Sequence, residues 1–362
     1  MKNYLTLVLP IVLVLIQISC SEDDPAPAPV VGTYTSASAF LEEIEFSGSI
    51  LIRKGNKDIV RSGFGMADKS TNIFNSTAHI YRIGSMTKAF TAIGIVNLKR
   101  DGFIQSYDQP ISDFIDDFPK GNKITLRHLL THYSGIPDYF AHVDPFSQNQ
   151  NVSISTEDIL DLIVEVATTD GLLFEPGAEY SYSNSNYFML GLLIEDLTGM
   201  SYHEYLNQKI MEPLGLSTIK EGPNEMTDES YAKGYKDGVE VAPYPMHFAF
   251  SAGDLISNIE DMEKWGDALL GNQFLTEEEK SEVFVAAPAE DGYYAIGFGW
   301  NTMRENGNLM YFHGGDIDGY SSLIALLPES NSLIVVLGNE EDGGTKRNLI
   351  LEALTKHEFQ FN

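Results

Sequence analysis

Arg82-Ile83-Gly84-Ser85-Met86-Thr87-Lys88, continued by Ala89-Phe90-Thr91-Ala92-Ile93-Gly94-Ile95-Val96-Asn97-Leu98, is the stretch on which the reading of this chain turns. The second part is apolar at nearly every position and free of proline, which predicts a buried helix with Ser85 at or near its N-terminus. Ser85 and Lys88 are three apart and so share one helix face. A serine hydroxyl is a weak nucleophile until its proton is removed. A lysine pressed against an apolar helix has its ammonium destabilised by burial and can act as the base. Free N–H groups at the helix start offer support for a developing oxyanion.

Ser-x-x-Lys alone says little, since ordinary composition gives about one chance match in a chain this long. Ser217-Thr218-Ile219-Lys220 and Ser230-Tyr231-Ala232-Lys233 match as well, but they sit among Pro213, Gly215, Pro223 and Gly234 in predicted loop. Only Ser85 opens a strong helix. An N-cap serine beside a solvated lysine is the plainer alternative, and two further elements weigh against it.

Pro176-Gly177 turns the chain into Tyr182-Ser183-Asn184, just before a helix predicted from Asn186 to Leu197. In an extended loop Tyr182 and Asn184 point the same way. A lysine cation nearby would favour the phenolate, making Tyr182 a proton shuttle, and Asn184 could donate to a substrate carbonyl. Tyr205-Leu206-Asn207 repeats the pattern inside a predicted helix, and a core tyrosine beside a turn asparagine is the bland alternative. The second element is His313-Gly314-Gly315-Asp316, expected at the end of a strand through Met310–Phe312. Its glycines let a substrate backbone lie along the strand edge, and the Asp316 N–H is placed to join that of Ser85 as an oxyanion donor. A glycine bulge ending a strand is the alternative there.

Taken in order, Ser-x-x-Lys, Tyr-x-Asn and a basic residue-x-Gly resemble the serine β-lactamase and penicillin-binding protein superfamily, most closely its class C-like branch. Arg127–Pro137, Tyr187–Gly191, Glu212–Leu216, Ser251–Ser257 and Gly297–Trp300 continue the similarity across roughly residues 35 to 360. The resemblance implies that Ser85 is acylated, that Lys88 and Tyr182 move the proton, and that water releases the acyl group. Asn184, His313 and Gly315 would bind substrate, with Ser85 and Asp316 N–H groups forming the oxyanion hole. No cofactor is implied. His313 departs from the lysine usual in β-lactamases and DD-peptidases. A histidine is only fractionally charged at neutral pH, which favours esters or neutral amides over substrates ending in a carboxylate.

The 362 residues are 43% hydrophobic with a formal net charge of -29, which predicts a globular core and argues against a nucleic-acid partner. Lys2 precedes an apolar run, Leu5–Ile18, interrupted by Pro10 and too short for a stable membrane span. It ends at Ser19-Cys20, and Cys20 is the only cysteine, so no disulfide forms within one chain. A lone cysteine after such a run resembles a bacterial lipoprotein site, with Gln17 as a departure. Residues 1–19 are then a signal peptide and 20–33 a lipidated, Pro-Ala-rich tether. The expected location is the face of a bacterial envelope membrane, held through the lipid only.

Ser47–Ile52 and Ile59–Gly65 are predicted strands around a Lys54-Gly55-Asn56-Lys57 turn. Ser155-Thr156-Glu157-Asp158 is a capping-box start, and Tyr202–Met211 is a helix expected to stop at Pro213. Strands return at Leu309–Phe312, Ser322–Leu327 and Ser332–Leu337, before a closing helix over Lys346–Phe359. The expected fold class is α+β. An antiparallel sheet flanked by helices (34–100 and 240–362) carries a mostly helical inserted subdomain (101–239). Two rivals remain. His128 and His132 have the i, i+4 spacing of a metal pair, but a zincin needs glutamate where Leu129 stands, so no metal is expected. A non-catalytic surface binder that keeps the pocket is the other.

Overall fold

The computed structural model describes residues 36–142, 155–285, 287–288, 294–305 and 307–355, all within one compact unit, Thr33–Asn362. Cys20, the run before it and the tether lie outside the described residues, as does the end of the closing helix.

Short apolar runs on either side of a Gly-Asn turn give the hairpin β1 (Gly48–Lys54) and β2 (Lys57–Phe64). Six strands from the second half join it: β3 (Ala287–Pro288), β4 (Tyr294–Ile296), β5 (Asn301–Glu305), β6 (Asn308–Ile317), β7 (Tyr320–Leu327) and β8 (Ser332–Gly338). Among the described residues they form an eight-stranded sheet in the order β3-β4-β5-β6-β7-β8-β1-β2, antiparallel at every pairing. The central strand β8 is buried along its whole length. Its side chains alternate between two cores, as the period of two demands. Leu333, Val335 and Leu337 face one core. Ile334 and Val336 face another, shared with α1 (Ala37–Glu43) and the closing helix.

The larger core is built on α2 (Thr87–Arg100), which is buried at every position from Thr87 to Leu98. A helix apolar all round has no solvent face and must be enclosed. The sheet packs against it together with α3 (Thr156–Thr169), α4 (Asn184–Thr198), α5 (Tyr202–Leu206) and α6 (Ile259–Leu270). Ser155 caps α3 with the reciprocal bonds expected of its capping box. The closing helix, α7, is described over Thr345–Thr355. The fold is an antiparallel sheet flanked by helices.

Three local expectations shift. Helix α4 starts at Asn184 itself, so Asn184 is a first-turn residue and not a loop residue. The helix after Tyr202 does not stop at Pro213. It widens into a π turn at Asn207–Met211 and ends at Gly215, in the left-handed conformation at φ 65. Pro213 lies at the start of the short helical piece Glu212–Leu214, where its missing N–H costs little. Finally, β6 does not end before the glycines. It runs on through His313-Gly314-Gly315-Asp316 to Ile317.

Candidate active site

Gly84, Ser85 and Met86 form a 3-10 turn that leads directly into α2. Gly84 has φ +51, and a Cβ there would stand 2.9 Å from Asp316 O and 3.1 Å from Asp316 N. A Cβ on Gly315 would fall 2.0 Å from Ile83 O. Both glycines are therefore required: with no Cβ, the turn before Ser85 and strand β6 press together backbone to backbone. Ser322 Oγ secures the seam by donating to Ile83 O at 2.8 Å. Ser85 and Asp316 thus share one rim of a cleft of about 360 Å³.

Three distant segments meet at the Ser85 hydroxyl. Lys88 Nζ lies 3.1 Å from Ser85 Oγ, and it donates to Asn184 Oδ1 and to Ala252 O, each at 2.7 Å. Tyr182 donates its hydroxyl proton to Ser85 Oγ at 2.9 Å. Lys88 is fully buried. Burial pushes its pKa down to about 7, opposed by the charge of Asp138. A neutral amine has two N–H groups and one lone pair. Two of its three oxygen neighbours are carbonyls, which only accept, so the lone pair is left for the Ser85 O–H.

Tyr182 is 38% exposed, but its hydroxyl is directed at Ser85 Oγ. Burial raises its pKa above the ordinary phenol value, further supported by Tyr180, Asp138 and Asp316, against the lowering effect of its bond to Ser85. The expectation that a lysine cation favours the phenolate is therefore corrected: burial outweighs it, and Tyr182 keeps its proton. The ring stacks on His132, with centroids 4.4 Å apart.

Asn184 is held at both ends. Its oxygen accepts from Lys88 and its Nδ2 donates to Asp138 Oδ2 at 2.8 Å, which fixes the amide orientation. Asp138 follows the Ser134–Pro137 segment and escaped sequence reasoning. Its turn context, an acid after proline accepting from Phe140 N at 3.1 Å, was the available signal. Ala252 escaped as well, because a backbone carbonyl leaves no mark in a sequence.

His313 is buried and does not line the cleft. Burial, with Lys88 next in effect, lowers its pKa to about 3, and its Nδ1 lies 2.6 Å from Gly314 O. Fractional charge at neutral pH, expected from the sequence, gives way to a neutral imidazole. The Asp316 carboxylate is engaged by Arg347, whose second nitrogen donates to it at 2.6 Å. The cleft walls include Phe140, Tyr244, Ile317, Asp318, Lys236 and Glu341. Lys236 is paired with Glu341 at 2.6 Å. Asp318 is half-buried, and burial and Glu341 raise its pKa.

The competing patterns serve elsewhere. Lys233 pairs with Asp68 and Glu240, each at 3.3 Å. Lys220 is exposed on a short strand, and Tyr205 is buried within α5. His128 Nδ1 accepts from Thr125 N at a helix start, and His132 Nδ1 accepts from Ser183 N, each at 3.2 Å. Among the described residues, no group of three or more His, Cys, Asp or Glu is placed to hold a metal ion.

A family model described as Beta-lactamase matches residues 40–356. Penicillin-binding protein 4* of Bacillus subtilis is 26% identical over 331 residues, covering 86% of this chain and 72% of the relative. Among solved structures, a penicillin-binding protein from Bacillus halodurans superposes with a TM-score of 0.74 at 26% identity, covering 88% of this chain and 98% of its own. A D-amino acid amidase from Ochrobactrum anthropi SV3 superposes with a TM-score of 0.73 at 26% identity, covering 85% and 94%.

Proposed function

Because the chain belongs to the β-lactamase family, we propose that it is a serine hydrolase that cleaves an ester or amide through an acyl-enzyme on Ser85. One observation carries the reading: the Lys88 amine and the Tyr182 hydroxyl both lie within hydrogen-bond reach of Ser85 Oγ, at 3.1 and 2.9 Å. Lys88 accepts the serine proton as Oγ attacks the carbonyl carbon. The N–H groups of Ser85 and Asp316 hold the oxyanion. Tyr182, still protonated, gives its proton to the leaving oxygen or nitrogen and regains one from Lys88. Water then attacks the acyl carbon by the reverse relay and frees Ser85.

The charge of the cleft favours substrates without a carboxylate beside the scissile bond. Lys236 and Arg347 are each paired with an acid, His313 is neutral, and Asp318 adds a negative wall. Similarity to a D-amino acid amidase supports neutral or amino-bearing amides alongside esters. A fluorophosphonate probe tests the chemistry: wild type is labelled and Ser85→Ala is not. Absence of labelling in both would leave a binder that has lost turnover. Nitrocefin, p-nitrophenyl esters and D-amino-acid anilides, assayed in parallel on the form lacking residues 1–20, sort the substrate class.

Lipid anchoring at Cys20 belongs to the same reading and is supported by Ser19-Cys20 directly after the apolar run. Metabolic incorporation of a palmitate analogue into wild type but not Cys20→Ala tests it. Equal labelling of the two would remove the anchor.

A further inference from the structure

Ala252 O, one of the two carbonyls that orient the Lys88 amine, belongs to a 3-10 turn, Phe250–Ala252. The turn is strained at its first residue, since Phe250 has φ +40. Something must hold it. Thr91 Oγ1 donates to Ser251 O at 2.6 Å, and Ser251 Oγ donates to Tyr187 O at 2.9 Å. Asp254 N closes onto Phe250 O at 2.9 Å.

Beyond these bonds lies a buried pair that the catalytic reading does not use. Asp254 has no exposed surface, and His203 Nε2 lies 2.8 Å from its Oδ2. The other oxygen, Oδ1, is buried without a hydrogen-bond partner. A half-satisfied buried carboxylate is a poor choice for stability alone. The same imidazole meets the Phe250 ring edge to face, with centroids 6.0 Å apart. One side chain therefore grips both ends of the five-residue segment Phe250–Asp254, with Ala252 at its centre.

We infer that His203 and Asp254 are positioning residues for Lys88: by clamping the Phe250–Asp254 segment they aim the Ala252 carbonyl at the amine. This rests on the reading of Lys88 as the proton acceptor. The charged and titratable groups facing the pair are Glu221, whose carboxylate is 3.7 Å from His203 Nδ1, and Glu195. Those acting on Lys88 or shifted by it are Asp138, His132 and His313. Burial raises the Asp254 pKa to about 6, and His203 is raised by Asp254 against the effect of its own burial. At neutral pH the pair thus shares a proton and stays close to net neutral.

A carbonyl dipole stabilises an ammonium more than an amine, so a displaced Ala252 O lowers the Lys88 pKa further. The readout is the Lys88 titration midpoint, followed by NMR in the full chain carrying lysine labelled with 13C at the ε carbon, with Lys88→Arg to assign the signal. His203→Leu is expected to lower the midpoint by about half a pH unit or more. His203→Gln keeps an N–H donor near the Nε2 position and Asp254→Asn keeps an acceptor, so both are expected to stay within about 0.2 unit of wild type. Should His203→Leu fail to fold, Asp254→Ala removes the clamp without added bulk and is expected to show the same fall. An unmoved midpoint in the clamp-breaking variant overturns the inference, and so does an equal fall in the two conservative ones. The midpoint needs no turnover. If the fluorophosphonate fails to label wild type, the hydrolase reading fails while the positioning of Lys88 is still decided.

Discussion

Lys88 Nζ stands 3.1 Å from Ser85 Oγ on a helix with no exposed face between Thr87 and Leu98, so the amine reaches the hydroxyl from inside the core. Water cannot stabilise its charge there, and burial pushes its pKa down to about 7. Only the neutral amine accepts the serine proton. Acylation is therefore expected to rise with pH through a limb near 7 and to level off above it. A kcat/KM profile with a well-behaved ester checks this; a flat profile between pH 5.5 and 8.5 would remove Lys88 as the base.

Tyr182→Phe keeps the ring against His132 and removes only the proton passed to the leaving group. Amide hydrolysis is expected to fall by about 10²-fold or more. A p-nitrophenyl ester, whose leaving group departs without a proton, is expected to lose much less. Equal losses for the two substrates would assign Tyr182 to packing.

Asp318 leaves a negative wall in the cleft beside the paired Lys236 and Glu341. Asp318→Asn is expected to raise KM for amino-bearing anilides about threefold to tenfold while KM for neutral esters stays level. An unchanged ratio would show that the substrate does not reach this wall.

His313→Lys places a cation in a buried neutral position next in charge to Lys88. The acidic limb is expected to move to lower pH, because a like charge disfavours the ammonium. An unmoved limb in the kcat/KM profile would show that position 313 does not act on Lys88.

Gly315→Ala would set a Cβ 2.0 Å from Ile83 O and 2.6 Å from Ser322 Oγ. The seam has to open, at a cost of about 3 kcal/mol read from urea unfolding. Fluorophosphonate labelling of the folded variant is expected to slow with it. Stability and labelling both at wild-type levels would contradict the backbone contact described here.

Much of this was written locally. The apolar run after Ser85, the short aliphatic runs of β1 and β8 and the capping box at Ser155 each declare their structure within a few residues. The Pro176-Gly177 turn predicts an extended loop through Asn184, yet the helix already begins there, and asparagine carries little penalty in a first turn. Pro213 predicts a stop because proline breaks helix interiors, a penalty that is small at the start of a helical piece. The protonation of Lys88, Tyr182 and His313 follows from burial, and burial depends on chain remote in sequence. Asp138, Ala252 and His203 came to light only when folding joined residues separated by tens of positions or more.

Gly84 meets Asp316, and Gly315 meets Ile83, through main chain, so neither glycine can take on a side chain. Ile317, Asp318 and Tyr244 line the same cleft and do have side chains that can be exchanged. Diversification of this scaffold toward new substrates can therefore proceed by exchanging wall residues one at a time, leaving the reactive corner untouched.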